Sequence, residues 1–155
     1  RCCSAGCDER GDEYPVHIEM DAMGDTANYY ASKQLPNPFT SLTADQLKET
    51  ERLYLINCGI CHGAKLDGNG PLWKDGEGPF PAKPAALVGD NKYESMADGQ
   101  MFYSITYGKN LMGSYASQLN AKQRWMVISY IKIKQGKLKP AGNADTMVVA
   151  SAVIK

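Results

Sequence analysis

Residues 58 to 62 read Cys58-Gly59-Ile60-Cys61-His62. Two thiols separated by two residues, with an imidazole directly after the second, form the C-x-x-C-H attachment pattern of a c-type haem. The chemistry requires this spacing. Each thiol adds across one vinyl group of the porphyrin, and two intervening residues let both sulfurs reach one edge of the ring. The histidine is then held beneath the iron as an axial ligand. The chain has five cysteines and two histidines in 155 residues, a composition from which chance produces the pattern about 0.002 times. It occurs once, so one haem c is expected. Competing readings are weaker. A thioredoxin-like redox pair wants a strand before it and a helix after it. Here a helical pattern precedes the pair and a glycine-rich loop follows. A zinc site needs two more ligands at matching spacing, and none is nearby. The bland reading is a buried cysteine pair beside an incidental histidine.

Iron in such a group has a second axial side. From residue type alone it is open to a methionine, to His17, or to nothing. Seven methionines exist. Met96, Met101 and Met126 fall at or within helical patterns and read as core. Met20 and Met23 lie near the amino terminus, Met147 near the carboxyl terminus, and Met112 in a polar, glycine-containing segment.

The elements that must position these groups follow from patterning. Thr43, followed three residues later by Gln46, is a capping box, and Leu42 with Leu47 makes a hydrophobic staple. Leu47, Thr50, Tyr54 and Cys58 then share one helical face, so the attachment motif closes a first helix. Residues 63 to 94 hold six of the fifteen glycines and four of the eight prolines. That composition forbids a long regular element and suits a loop wrapping a flat, bulky group. Trp73, Phe80 and Leu87 are anchors that a free linker rarely carries. A second helix is expected over about 96 to 107, opened by Ser95 and stopped by Gly108. After a loop from Lys109 to Leu119, a third begins at Asn120, with Gln123 three later, and ends at Gly136. Met101, Phe102 and Ile105 supply the apolar face of the second; Trp125, Val127, Ile128, Tyr130, Ile131 and Ile133 make the third strongly apolar. Lys132, Lys134 and Lys137 sit at its carboxyl end, where the helix dipole favours cations.

Residues 1 to 42 show no clean period and contain Pro15, Pro36 and Pro38. They read as an extended arm packed over a surface, with an unstructured tail as the alternative. The domain of residues 43 to 136 follows, then a tail over 137 to 155 with an apolar run from Met147 to Ile154, too short to span a bilayer. Charge is balanced, with 17 basic and 17 acidic residues. That leaves no electrostatic argument for nucleic acid or an anionic membrane surface. Hydrophobic residues make up 43% of the chain, enough for a packed core.

The order helix, C-x-x-C-H, glycine-rich loop, helix, methionine loop, terminal helix resembles the small soluble class I cytochrome c fold, all-α with three to four helices around one covalent haem. The resemblance implies Met112 as the sixth ligand, since the family takes it from the loop before the last helix. It also implies contact between first and last helices, with Tyr54 and Thr50 meeting Val127 and Tyr130. Thr50 stands where the family usually has glycine, so a slightly wider crossing is expected. Pro71 resembles the family proline whose carbonyl accepts from the haem histidine, with Pro79 and Pro81 as rivals.

A narrower likeness covers Leu35 through Gly136. Asn37-Pro38-Phe39, Tyr54 through Gly63, Asp67-Gly68-Asn69-Gly70, and above all Tyr107 through Asn120 with Arg124-Trp125 and Tyr130-Ile131 resemble the mono-haem cytochrome c subunit of bacterial alternative complex III. This implies a non-enzymatic electron-transfer subunit on the periplasmic face of the inner membrane, with Tyr115 among the haem-binding residues. Its expected partners are a multi-haem cytochrome, an iron–sulfur subunit and membrane subunits, with a terminal oxidase or soluble cytochrome as acceptor. A lipid anchor is expected at Cys7, Cys3 or Cys2; Ser4-Ala5-Gly6 before Cys7 supplies the small residues of a lipobox. The alternative there is a disulfide from Cys7 to one of the other two, leaving one thiol over. Two other functions stay open: a free-standing periplasmic shuttle, and a haem enzyme or gas sensor with an open sixth site.

Overall fold

The capping box at Thr43 forms as its residues dictate. The Gln46 amide donates to the Thr43 hydroxyl oxygen at 3.2 Å, and the Thr43 amide donates to the Gln46 side chain at 3.0 Å. A computed structural model, which describes residues 18–142, shows what this cap starts. Helix α2 runs Ala44–Asn57 and a single-turn α3, Gly59–His62, carries the attachment motif. Before them lie a short α1, Ala27–Ala31, and a 3-10 turn, Ser32–Gln34. After them come a 3-10 turn at Lys74–Gly76, the single-turn α4, Asn91–Glu94, then α5, Asp98–Tyr107, and α6, Ala121–Lys134. Among the described residues there is no strand, only an isolated bridge between Lys109 and Met112. The three longer helices stand where the sequence places them, in the all-α order that the resemblance implies.

Helix α6 is the centre of the molecule. Residues Arg124 to Lys132 are all buried, the pattern of a helix covered on every side. Its cap repeats the first one: the Gln123 amide donates to the Asn120 side chain at 2.8 Å, and the Asn120 amide to Gln123 at 2.9 Å. Helix α2 crosses it through Tyr54 and Tyr130, whose ring centroids lie 5.3 Å apart, and Thr50 and Val127 are both fully buried. Thr50 is tolerated there because its hydroxyl donates to the Gln46 carbonyl at 2.6 Å, leaving only its methyl to pack. Helix α5 covers another side, with Phe102 stacked on Trp125 at 4.0 Å.

Three expectations need correction. Ser95 does not open α5. It ends α4, its hydroxyl donating to the Asn91 carbonyl at 2.7 Å, and Ala97 holds the cap position without a side-chain bond. The described part of the arm is not simply extended, because α1 and its 3-10 turn bury Tyr29 and Ser32. Its return stretch enters the core: Leu35 and Leu42 are buried, and the Asn37 side chain donates to Asp98 and to Ser129, each at 2.9 Å. Lys132 does not simply complement the end of α6. It is buried, and its ammonium donates to the Met96 carbonyl at 2.7 Å. The start of the tail docks where Ala141 donates to the Leu42 carbonyl at 2.9 Å.

Candidate haem site

The attachment motif is held from both sides. From the helix side, the Tyr54 hydroxyl donates to the Gly63 carbonyl at 2.9 Å inside the core. From the loop side, Gly68 donates to the His62 carbonyl at 2.9 Å, Gly70 to Cys61 at 3.1 Å and Leu72 to Ile60 at 3.1 Å. These bonds press the glycine-rich chain against the motif. A side-chain carbon at Gly70 would stand 2.7 Å from the Cys61 carbonyl carbon, so only glycine permits the approach.

Cys58, Cys61 and His62 face a cavity of about 520 Å³, within the ordinary range for a cofactor site. Its wall is largely apolar, with Phe80, Leu87, Ile105 and Ile131 among the lining side chains. His62 Nδ1 lies 2.9 Å from the Ala85 carbonyl oxygen. A carbonyl can only accept, so Nδ1 carries the proton and Nε2 presents its lone pair. Burial pulls the His62 pKa below its ordinary value, against the opposing pull of the Ala85 bond. Burial favours the neutral imidazole and the Ala85 bond orients it, which together give the form that ligates a metal.

Ala85 corrects the expectation for Pro71. The carbonyl that accepts from the haem histidine belongs to Ala85, just after Pro84, and neither Pro71 nor its rivals Pro79 and Pro81 supply it. Pro71 sits between Gly70 and Leu72, whose amides bond the motif backbone, and it does not line the cavity. Loop length was the obscured variable: 23 residues separate His62 from its partner, and no local pattern reports which of the loop's carbonyls folds back.

Another part of the cavity wall comes from the segment between α5 and α6. Gly108 turns the chain with φ +82°. Lys109 and Met112 then exchange backbone hydrogen bonds, each 2.9 Å, around a left-handed Asn110. The far side is tied by the Ser114 hydroxyl donating to the Thr106 carbonyl at 2.6 Å and by the Tyr115 amide donating to Ile105 at 2.9 Å. This places Met112 and Tyr115 on the cavity with Cys58, Cys61 and His62. Met96 and Met101 also line it, although Met101 is as buried as expected of core. Two contributors had no signal in the sequence. Tyr29 reaches the cavity from the arm, and Lys83, Lys92 and Lys109 bring three cations to it. Cys2, Cys3, Cys7 and His17 lie outside the described residues.

The donor set fits a covalent haem on its own chemistry. Two thiols and an imidazole converge on one apolar cavity, and the imidazole's other nitrogen is already engaged. A thiol–disulfide site fits poorly. Burial pushes the Cys58 thiol up to about 12, with Cys61 adding to it, and burial raises Cys61 as well. Redox-active dithiols need the reverse.

Residues 45–131 match the family described as cytochrome c oxidase, cbb3-type, subunit III. No curated protein matches the chain. Among solved structures, a chain of the reducing HAO-like protein complex of Kuenenia stuttgartiensis is similar at 24% identity, with a TM-score of 0.49 over 59% of this chain. This chain spans less than half of that one, 44% of its length. Cytochrome cL from the marine methylotroph Methylophaga aminisulfidivorans is 19% identical, with a TM-score of 0.48 over 87% of this chain and 93% of its own. Cytochrome cL from Hyphomicrobium denitrificans is 20% identical, with a TM-score of 0.42 over 85% of this chain and 82% of its own.

Proposed function

The chain belongs to the cytochrome c family described as cytochrome c oxidase, cbb3-type, subunit III, and on that premise we propose that it is the mono-haem electron-transfer subunit of a membrane-bound, quinol-oxidising complex of the alternative complex III type. Its function is electron transfer and its cofactor is a covalently bound haem c. When bound, the haem supplies one-electron exchange between the ferric and ferrous states of its iron.

Every other part of the mechanism belongs to residues of this chain. Cys58 and Cys61 would hold the haem as thioethers, each S–H adding across one vinyl group so that sulfur bonds one carbon and the hydrogen goes to the other. His62 would present Nε2 to the iron while Nδ1 donates to Ala85, which fixes the orientation of the imidazole and raises its basicity. Met112 would offer its thioether from the same cavity. The apolar wall of Phe80, Leu87, Ile105 and Ile131 would keep water away from the group. Lys83 and Lys92 would be available to the haem carboxylates.

The observation that carries this reading is the convergence of Cys58, Cys61, His62 and Met112 on one apolar cavity. In the proposed assembly residues 1 to 42 form an arm carrying a lipid at Cys7, Cys3 or Cys2, residues 43 to 136 the electron-transfer domain, and residues 137 to 155 a tail that serves assembly. The site lies on the periplasmic face of the inner membrane. Electrons arrive from a multi-haem subunit and leave towards a terminal oxidase or soluble cytochrome. Balanced charge suits a carrier that is held in place instead of steered through solution. The matched family description favours one second reading, a cytochrome subunit attached to a haem–copper oxidase. Purification of the native haem protein from membranes in mild detergent separates the two. Co-elution with multi-haem and iron–sulfur subunits is expected. Co-elution with copper-containing oxidase subunits transfers the assignment to the second reading, and elution as a free monomer removes both.

A further inference from the structure

The turn that carries Met112 is short and faces solvent. Lys109, Asn110 and Leu111 are all exposed, while Met112 itself is half-buried. Its two ends are tied to α5, but its tip is held across space by the arm. The Lys109 ammonium sits 3.7 Å from the centroid of the Tyr29 ring, well inside cation–π range. Lys109 is in turn the residue that exchanges both backbone hydrogen bonds with Met112. Tyr29 is itself anchored. It is buried, its amide donates to Asp21 Oδ2 at 2.9 Å, and its ring meets the edge of Tyr103 at 5.7 Å. Asp21 completes the anchor by accepting from the Tyr103 hydroxyl at 2.9 Å and from the Asn28 amide at 2.7 Å. Tyr107 adds a second tie, its hydroxyl donating to the Ile18 carbonyl at 2.8 Å.

We propose that residues 18 to 31 are a strap over the methionine turn, with Tyr29 and Lys109 as positioning residues that hold Met112 against the iron. The inference rests on Met112 being the sixth ligand. It assigns the arm a role in the redox site, in addition to packing or assembly. Tyr29 touches the same cavity as Met112, so the strap reaches the ligand from two directions: its ring closes the cavity wall, and its face holds the cation of the turn. Loss of either partner frees the tip to swing Met112 away from the iron. A cation–π contact made by an exposed cation is of the size that changes such a local equilibrium about two- to fivefold.

The test uses the full haem-loaded protein in its ferric form. A wild-type absorption at about 695 nm reports methionine on the iron. Its absence removes Met112 as ligand and the strap with it. With the band present, the rate at which cyanide displaces the sixth ligand measures how often Met112 leaves. Tyr29→Leu and Lys109→Gln each raise that rate about two- to fivefold. Tyr29→Phe and Lys109→Arg, which keep the ring and the cation, retain the wild-type rate. The double variant is no faster than the faster single one, because both changes break one contact. Lys109 is exposed, so Lys109→Gln reads the contact without endangering the core. Wild-type cyanide rates in Tyr29→Leu and Lys109→Gln, with the band intact, overturn the strap and leave Met112 in place as ligand. A purely structural role for Tyr29 would lower the unfolding midpoint and leave the rate unchanged.

Discussion

Gly108→Ala tests how the methionine turn is built. Gly108 has φ +82° and ψ 165°, a region open essentially to glycine alone. A side-chain carbon there would also stand 2.6 Å from the Met112 carbonyl oxygen and 3.1 Å from Gly113 and Ser114 backbone atoms. Those neighbours are backbone, so they cannot rotate away. The conformational strain alone is about 1–3 kcal/mol, and relief of the overlap must move the turn. We expect a loss of about 2–3 kcal/mol. At about 3–5 °C per kcal/mol for a domain of this size, the unfolding midpoint falls by roughly 10 °C. Gly113→Ala is the matched control. It lies on the same turn, has nothing within 4 Å of the added carbon, and has no positive φ. Its effect should be within about 0.5 kcal/mol, with a slight gain possible from the unfolded chain. Urea titration of both haem-loaded variants, followed by helix circular dichroism, reads the difference directly. Equal midpoints for the two alanine variants would refute the steric account of the turn.

Other outcomes follow from the same contacts. Met112→His lowers the midpoint potential, because an imidazole replaces a thioether; a redox titration without a shift excludes Met112 as ligand. Tyr54→Phe strips the Gly63 carbonyl of its buried donor and costs about 1–3 kcal/mol in urea unfolding; a neutral result would mean that the bond at 2.9 Å contributes nothing. Burial first, then Glu51, pushes the Tyr130 hydroxyl from 10.0 up to about 12 in the folded protein. Between those values the unfolded chain releases a proton that the folded one keeps, so this contribution is intact below pH 10 and lost as pH rises to 12. The wild type should therefore lose on the order of 1–2 kcal/mol more than Tyr130→Phe across that window, read as diverging denaturant midpoints. Parallel curves would show that Tyr130 titrates normally.

How much was legible in advance varied with the range of the interaction. Both capping boxes, at Thr43 and Asn120, close within four residues, and both form. Gly108 and Gly136 stop their helices with positive φ as expected, because the demand for glycine there is local. Ser95 misled for an instructive reason. It does bond backbone within a helix, but the helix is the single turn before it, and the next one starts without a side-chain cap. The arm concealed its short helix because five residues are too few to establish a period.

The sequence by itself determined the chemistry. Two thiols and an imidazole at C-x-x-C-H spacing admit one cofactor, since covalent attachment requires adjacent residues and adjacency is written in the chain. It also determined the three long helices and the segment that delivers Met112. Only the tertiary structure decided which groups meet across distance. Ala85, not Pro71, accepts from His62, because the loop folds back 23 residues after the histidine. Tyr29 reaches the methionine turn because Asp21 and Tyr103, 82 residues apart, lock the arm onto α5. Lys132 binds the Met96 carbonyl because α6 is buried along that face. Such pairings depend on where whole elements pack, and packing sums many weak contacts that no short pattern records.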